Sequence, residues 1–144
     1  AYLYINKYCQ QTNSLKKTSV EMFSKNLSKE EVKCVVLDDF VKKNKIKNID
    51  VLKVDVQGFE SKVFEGAKNI LPQVKQLFVE SSWMDIDSIL ELVPFAQHYG
   101  FEYLYVVNPV YLGADILLSK ERNLKKKFFE KEIILQNIKN TKWL

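Results

Sequence analysis

One histidine, one arginine and two isolated cysteines leave this chain of 144 residues short of the side chains on which most metal and nucleic-acid sites depend. His98, Cys9 and Cys34 cannot be assembled into a set of soft ligands at zinc spacing, so no metal site is expected. The two cysteines read as reduced thiols of a cytoplasmic protein. The net charge of +4 comes from lysine, because Arg122 stands alone. A nucleic-acid grip normally draws on the forked guanidinium of arginine, so no nucleic-acid partner is expected and a solvated surface accounts for the charge. With four glycines and three prolines, the composition is not that of a disordered segment. Nowhere do roughly eighteen apolar residues follow one another, and the opening "AYLYINKYCQQ" has no apolar run behind a basic start. Neither a membrane span nor a secretory signal is expected. The chain opens on Ala rather than Met, which predicts that a segment precedes it.

What is present is an ordinary globular balance, 47% hydrophobic and 28% charged, over a length that fits one domain or part of one. "YLYI" (2–5) predicts a short strand, and the polar stretch up to Glu31 predicts hairpin and loop. "VKCVVL" (32–37) predicts a second strand, with Asp38 placed to cap a short helix over "DFVKKNK". "VLKVDV" (51–56) is a strand by its β-branched content. Phe59, Val63, Ala67 and Ile70 then recur at helical spacing until Pro72 closes that helix. "VKQLFVES" (74–81) is the next strand. Residues 85–99 follow as a helix with Ile86, Ile89, Leu90, Val93 and Ala96 on one face and Gly100 as its stop.

Both crossovers, 57–73 and 82–100, are long enough to carry a helix, so these strands are expected to be parallel with right-handed connections. "FEYLYVV" (101–107) and "GADILLSK" (113–120) are too close in sequence for a crossover, and should form an antiparallel hairpin at one edge. Residues 121–144 predict a C-terminal helix with Leu124, Phe128, Leu135 and Ile138 inward, packed on or extending a domain over 1–120. The lysines of that helix read as a solvated face or, less readily, as a patch for an anionic surface.

In an open parallel sheet, ligands bind beyond the carboxyl ends of the strands, which puts Asp55, Gln57 and Gly58 of "VLKVDVQGFE" (51–60) where a site would be. Strand alternation gives Lys53 and Asp55 one face, close enough to pair as a half-buried position demands. Gly58 allows a tight turn from strand to helix. Glu60 falls in the first helical turn, where the dipole favours an anion.

A parallel α/β core that ends in an antiparallel hairpin is the edge pattern of the class I S-adenosylmethionine methyltransferases. Residues 35–80, "VVLDDFVKKNKIKNIDVLKVDVQGFESKVFEGAKNILPQVKQLFVE", resemble the FkbM family of S-adenosylmethionine-dependent methyltransferases. "VLDDF", "DVLKVDVQGFE", "VFEGA" and "LFVE" stand in that family's order and at similar spacing. "TNSLKK" (12–17) and "GADILLSK" (113–120) are similar to its upstream Ser-Leu segment and final strand. Two departures stand out. Gln57 occupies a position where the family commonly has Glu, and no stretch matches the family's first strand with its glycine-rich turn or the acidic end of its second strand.

The resemblance implies the C-terminal part of a class I (Rossmann-like) methyltransferase domain, with the N-terminal strands missing. It implies S-adenosylmethionine as cofactor, with Asp55, Val56 and Gln57 beside it, although the main binding motif is not in this chain. It also implies methyl transfer to an oxygen acceptor, a sugar or other small-metabolite hydroxyl. For Asp55 the alternatives are a group that orients or deprotonates that hydroxyl and a structural partner for Lys53. Glu60 is either a substrate-side acid or a helix-start acid, and Glu80, at the end of the next strand, converges on the same crevice. Trp83 either lines an acceptor pocket or covers an apolar edge. His98 lies away from that rim, and Tyr103 and Tyr105 read as plain strand residues. A non-catalytic α/β binding or scaffold module without a cofactor site stays open as the rival reading.

Overall fold

The computed structural model describes residues 1–82, 92, 94–110, 113–121 and 134–137. Tyr2–Asn6 (β1) and Leu27–Glu31 (β2) form a two-stranded antiparallel sheet. Between them lie a 3₁₀ turn, Gln10–Thr12, and a short helix, Lys17–Glu21 (α1). The ladder ends where the Val32 N–H donates to the Ala1 carbonyl at 2.8 Å. The strand expected at 32–37 does not form. Its β-branched residues favour extended backbone, but a strand also needs a neighbour for its N–H and C=O groups, and β1 is used up. Val35 and Val36 are accordingly left 65% and 50% exposed.

Helix α2, Leu37–Lys43, starts directly after them, and Asp38 lies in its first turn instead of capping it. The Asp38 carboxylate reaches across to another segment. Its Oδ1 accepts the Ile70 N–H at 3.1 Å, while its Oδ2 accepts the Asn69 N–H at 3.1 Å and the Asn69 side-chain amide at 2.8 Å. This explains a second departure. The helix expected to run to Ile70 is Glu60–Glu65 (α3), followed by turns and a 3₁₀ segment, Leu71–Gln73. In a continuing helix the Asn69 N–H would bond four residues back, and Asp38 takes it instead.

The main sheet has the order β3-β4-β6-β5-β7, from Ile49–Val54 (β3), Val74–Ser82 (β4), Tyr103–Val110 (β5), Gly113–Ser119 (β6) and Ile134–Asn137 (β7). β3 and β4 are parallel, as their crossover predicts, and β5 and β6 form the expected antiparallel pair. β6 also pairs antiparallel with β4. The fold is therefore mixed α/β, with a mixed rather than a parallel sheet. The hairpin lies inside this sheet, and β7 holds the edge beside β5 among the described strands. Residues 134–137, expected in a C-terminal helix, are this strand, and Leu135 pairs with Tyr105. An open ladder along β5 outweighs helical spacing in a segment that carries two adjacent isoleucines. Leu124, Phe128 and Ile138 lie outside the described residues.

Helices α2 and α3 and the helical segment 94–98 pack on one face of the sheet. Leu52, Val54, Leu77, Val79, Leu104, Ile116 and Leu118 meet Val41, Phe64, Ala67, Ala96 and Phe101 in the main core. Each fully buried leucine there stabilises by roughly 1.5–3 kcal/mol. Residues 94–98 are helical and stop at Gly100, whose φ of 81° is one that glycine adopts freely. Ile86, Ile89, Leu90 and Val93 of that predicted helix lie outside the described residues. The opposite face carries a smaller cluster, Phe78, Tyr103, Tyr105 and Leu117.

Candidate functional site

Strand alternation sends Leu52 and Val54 into the main core and leaves Lys53 and Asp55 on the other face. The Lys53 Nζ donates to Asp55 Oδ2 at 3.0 Å, so the predicted pair forms. It is not the half-buried pair the sequence suggests. The side chains are 59% and 34% exposed, solvent screens them, and the contact contributes little to stability.

Past Asp55 the chain turns through two consecutive left-handed residues, Gln57 at φ 51° and Gly58 at φ 89°. Glycine accepts this freely. For Gln57 it costs about 1–2 kcal/mol, which the surrounding contacts must hold in place. The buried Ser14 donates its hydroxyl to the Gln57 carbonyl at 2.8 Å. Helix α1 crowds the same turn, because a Cβ on Gly58 would come within 2.5 Å of the Ser19 Oγ. The Gln57 amide in turn donates to Asp55 Oδ1 at 3.3 Å.

The parallel register Val54↔Val79 brings Asp55 beside Glu80, and the antiparallel register sets Asp115 opposite Glu80. The Asp55 and Glu80 carboxyls are close enough that each is the largest influence on the other's titration, and a hydrogen bond between them requires a shared proton. That bond to Asp55, together with burial and the Asp55 charge, raises the Glu80 pKa above its ordinary value. The bond from Glu80, followed by those from Lys53 and Gln57, lowers Asp55 against a partial desolvation that opposes it. Of the two, Glu80 therefore keeps a proton more readily and Asp55 gives one up more readily. Together they form an acid–base pair at the carboxyl ends of two parallel strands.

Of the residues singled out from sequence, Asp55, Gln57 and Glu80 come together. Val56 is partly buried against the main core. Glu60 Oε1 accepts the Gly58 N–H at 3.1 Å, so its carboxylate bends back onto the turn. His98 stacks edge-on against Tyr99 at 4.8 Å in the helical segment 94–98. Trp83 lies outside the described residues. Sequence reasoning missed Ser14 and Asp115. Asp115 would have been found had its strand been registered against β4, and Ser14 carries no signal beyond its place in "TNSLKK".

A hollow of about 440 Å³ lies elsewhere, lined by Asp38, Ile46, Ile70 and Gln73, at the amino ends of β3 and β4. The acid–base pair occupies the opposite, solvent-exposed rim. Among the described residues no group of His, Cys, Asp and Glu could hold a metal ion, and no helix is long and apolar enough to cross a membrane.

Residues 3–103 match the family model described as methyltransferase FkbM domain. No match is found among curated proteins or among solved structures.

Proposed function

The chain belongs to the FkbM methyltransferase family, and from that premise we propose that it forms the acceptor side of an S-adenosylmethionine-dependent O-methyltransferase. The acceptor we propose is a hydroxyl of a sugar or other small metabolite. The Asp55–Glu80 pair carries this reading. A hydroxyl is a poor nucleophile until its proton is taken, and an ionised carboxylate within hydrogen-bond reach is the group that takes it. Asp55 is such a carboxylate, kept charged by Glu80, Lys53 and Gln57.

S-adenosylmethionine, when bound, supplies an electrophilic methyl group on a sulfonium. The residues present fit only that cationic end. Asp55 offers an opposite charge, with Val56 and Gln57 next to it, whereas none of the four glycines stands in a Gly-x-Gly turn that could receive a nucleotide. In this reading Asp55 binds and orients the acceptor hydroxyl and holds its proton. Glu80 fixes Asp55 from the neighbouring strand, and Glu60 holds the turn at Gly58. Because methyl transfer is a direct displacement, this alignment is most of what the protein must provide.

A second reading, a binding or scaffold module that keeps the sheet without the chemistry, takes Asp55 as a structural partner for Lys53, to which it is joined at 3.0 Å. Transfer of labelled methyl from S-adenosylmethionine to a panel of hydroxylated sugars separates the two. The first reading expects a base-stable methyl ether that falls about 100-fold with Asp55→Asn. Calorimetric titration that gives no heat with the cofactor, together with no labelled ether, supports the module instead.

A further inference from the structure

Ser14 is 2% exposed, yet its side chain is fully engaged. Its hydroxyl donates to the Gln57 carbonyl at 2.8 Å, lies 3.4 Å from the Val56 carbonyl, and accepts the Lys16 N–H at 2.9 Å. Its backbone is anchored as well. The Tyr4 N–H donates to the Ser14 carbonyl at 2.8 Å, and the Ser14 N–H donates to the Tyr4 carbonyl at 3.2 Å. One small side chain therefore joins β1, the entry to α1 and the turn after β3, across 43 residues of sequence. What it grips is the carbonyl of the non-glycine residue at φ 51° whose amide reaches Asp55.

We propose that Ser14 is a positioning residue. Its hydroxyl, clamped on the Gln57 carbonyl, holds Gln57 in the left-handed conformation that carries its amide onto the Asp55–Glu80 carboxyl pair. A buried hydroxyl spent only on packing would not need to face a carbonyl in the turn that ends the functional strand. The role rests on the reading of that pair as the acceptor site, but its physical content does not. The groups facing the pair are Lys53 on β3, Gln57 in the turn and Asp115 on β6. Of these, Gln57 alone is held by Ser14.

The test is a mutant cycle read by carboxyl-carbon NMR titration of Asp55. Ser14→Ala frees the turn, and Gln57→Gly removes the amide while tolerating the positive φ. Loss of one hydrogen bond to the carboxylate should raise the Asp55 titration by about half a pH unit in each variant. The double variant should shift no further than either single one. A Ser14→Ala protein that melts earlier but titrates as wild type would overturn the proposal, as would shifts that simply add. If Ser14→Ala does not fold, Ser14→Cys is read in the same cycle, with a weaker donor and a smaller shift expected. Because the readout is a titration, absence of methyl transfer would remove the functional reading and leave this result standing.

Discussion

Asp55 and Glu80 lie side by side on the parallel β3–β4 pair, one step beyond Val54 and Val79, with their carboxyls placed for a hydrogen bond to join them. Two carboxyls can bond in this way only while one of them keeps its proton. The pair therefore has a pH window, and its edges follow from the two opposite shifts.

Glu80 is raised, so its contribution to stability is complete below the ordinary glutamate value and is lost as pH rises through the raised one. Asp55 is lowered, so its contribution is present above the ordinary aspartate value and is lost as pH falls through the lowered one. Between those limits the pair holds one proton. Wild-type protein should lose stability relative to Glu80→Gln as pH climbs past the ordinary glutamate range, because Gln keeps an N–H donor that does not titrate. Urea midpoints at a series of pH values measure this, and parallel profiles there would count against a shared proton.

Gly58→Ala should cost about 1–2 kcal/mol through the positive φ alone, and more through the approach to Ser19. In a Ser19→Ala background, where the hydroxyl is gone, the loss should shrink but not vanish. Equal losses in both backgrounds, measured by thermal unfolding, would mean that α1 does not press on the turn.

Asp38→Ala leaves the Asn69 N–H without its acceptor, while the Ile70 N–H keeps the Ala67 carbonyl at 3.0 Å, and should destabilise by about 1 kcal/mol. Asp38→Asn, which keeps one acceptor oxygen, should lose less. Asp39→Ala, one position on and exposed, should stay within about 0.5 kcal/mol. Denaturant titration of the three variants checks that order.

The parallel pair and the hairpin were legible because "VLKVDV", "VKQLFVES" and "GADILLSK" carry strand composition, and because connection length alone separates crossover from hairpin. The carboxyl rim was legible for the same reason: Asp55 and Glu80 end neighbouring parallel strands. What was not legible depends on partners distant in sequence. Val32 to Leu37 have strand composition but lack a neighbour, Asp38 caps a turn thirty-one residues away rather than its own helix, and residues 134–137 respond to the open side of β5. Ser14 belongs with these, since only the folded chain shows which carbonyl it meets.

The most direct test of the account is the carboxyl-carbon titration of Glu80 in wild-type protein and in Asp55→Asn. The account predicts that wild-type Glu80 titrates above the ordinary glutamate range, and returns toward that range once the charge and the acceptor oxygen of Asp55 are removed. A Glu80 that titrates as an ordinary glutamate in wild type, unchanged by Asp55→Asn, would contradict it.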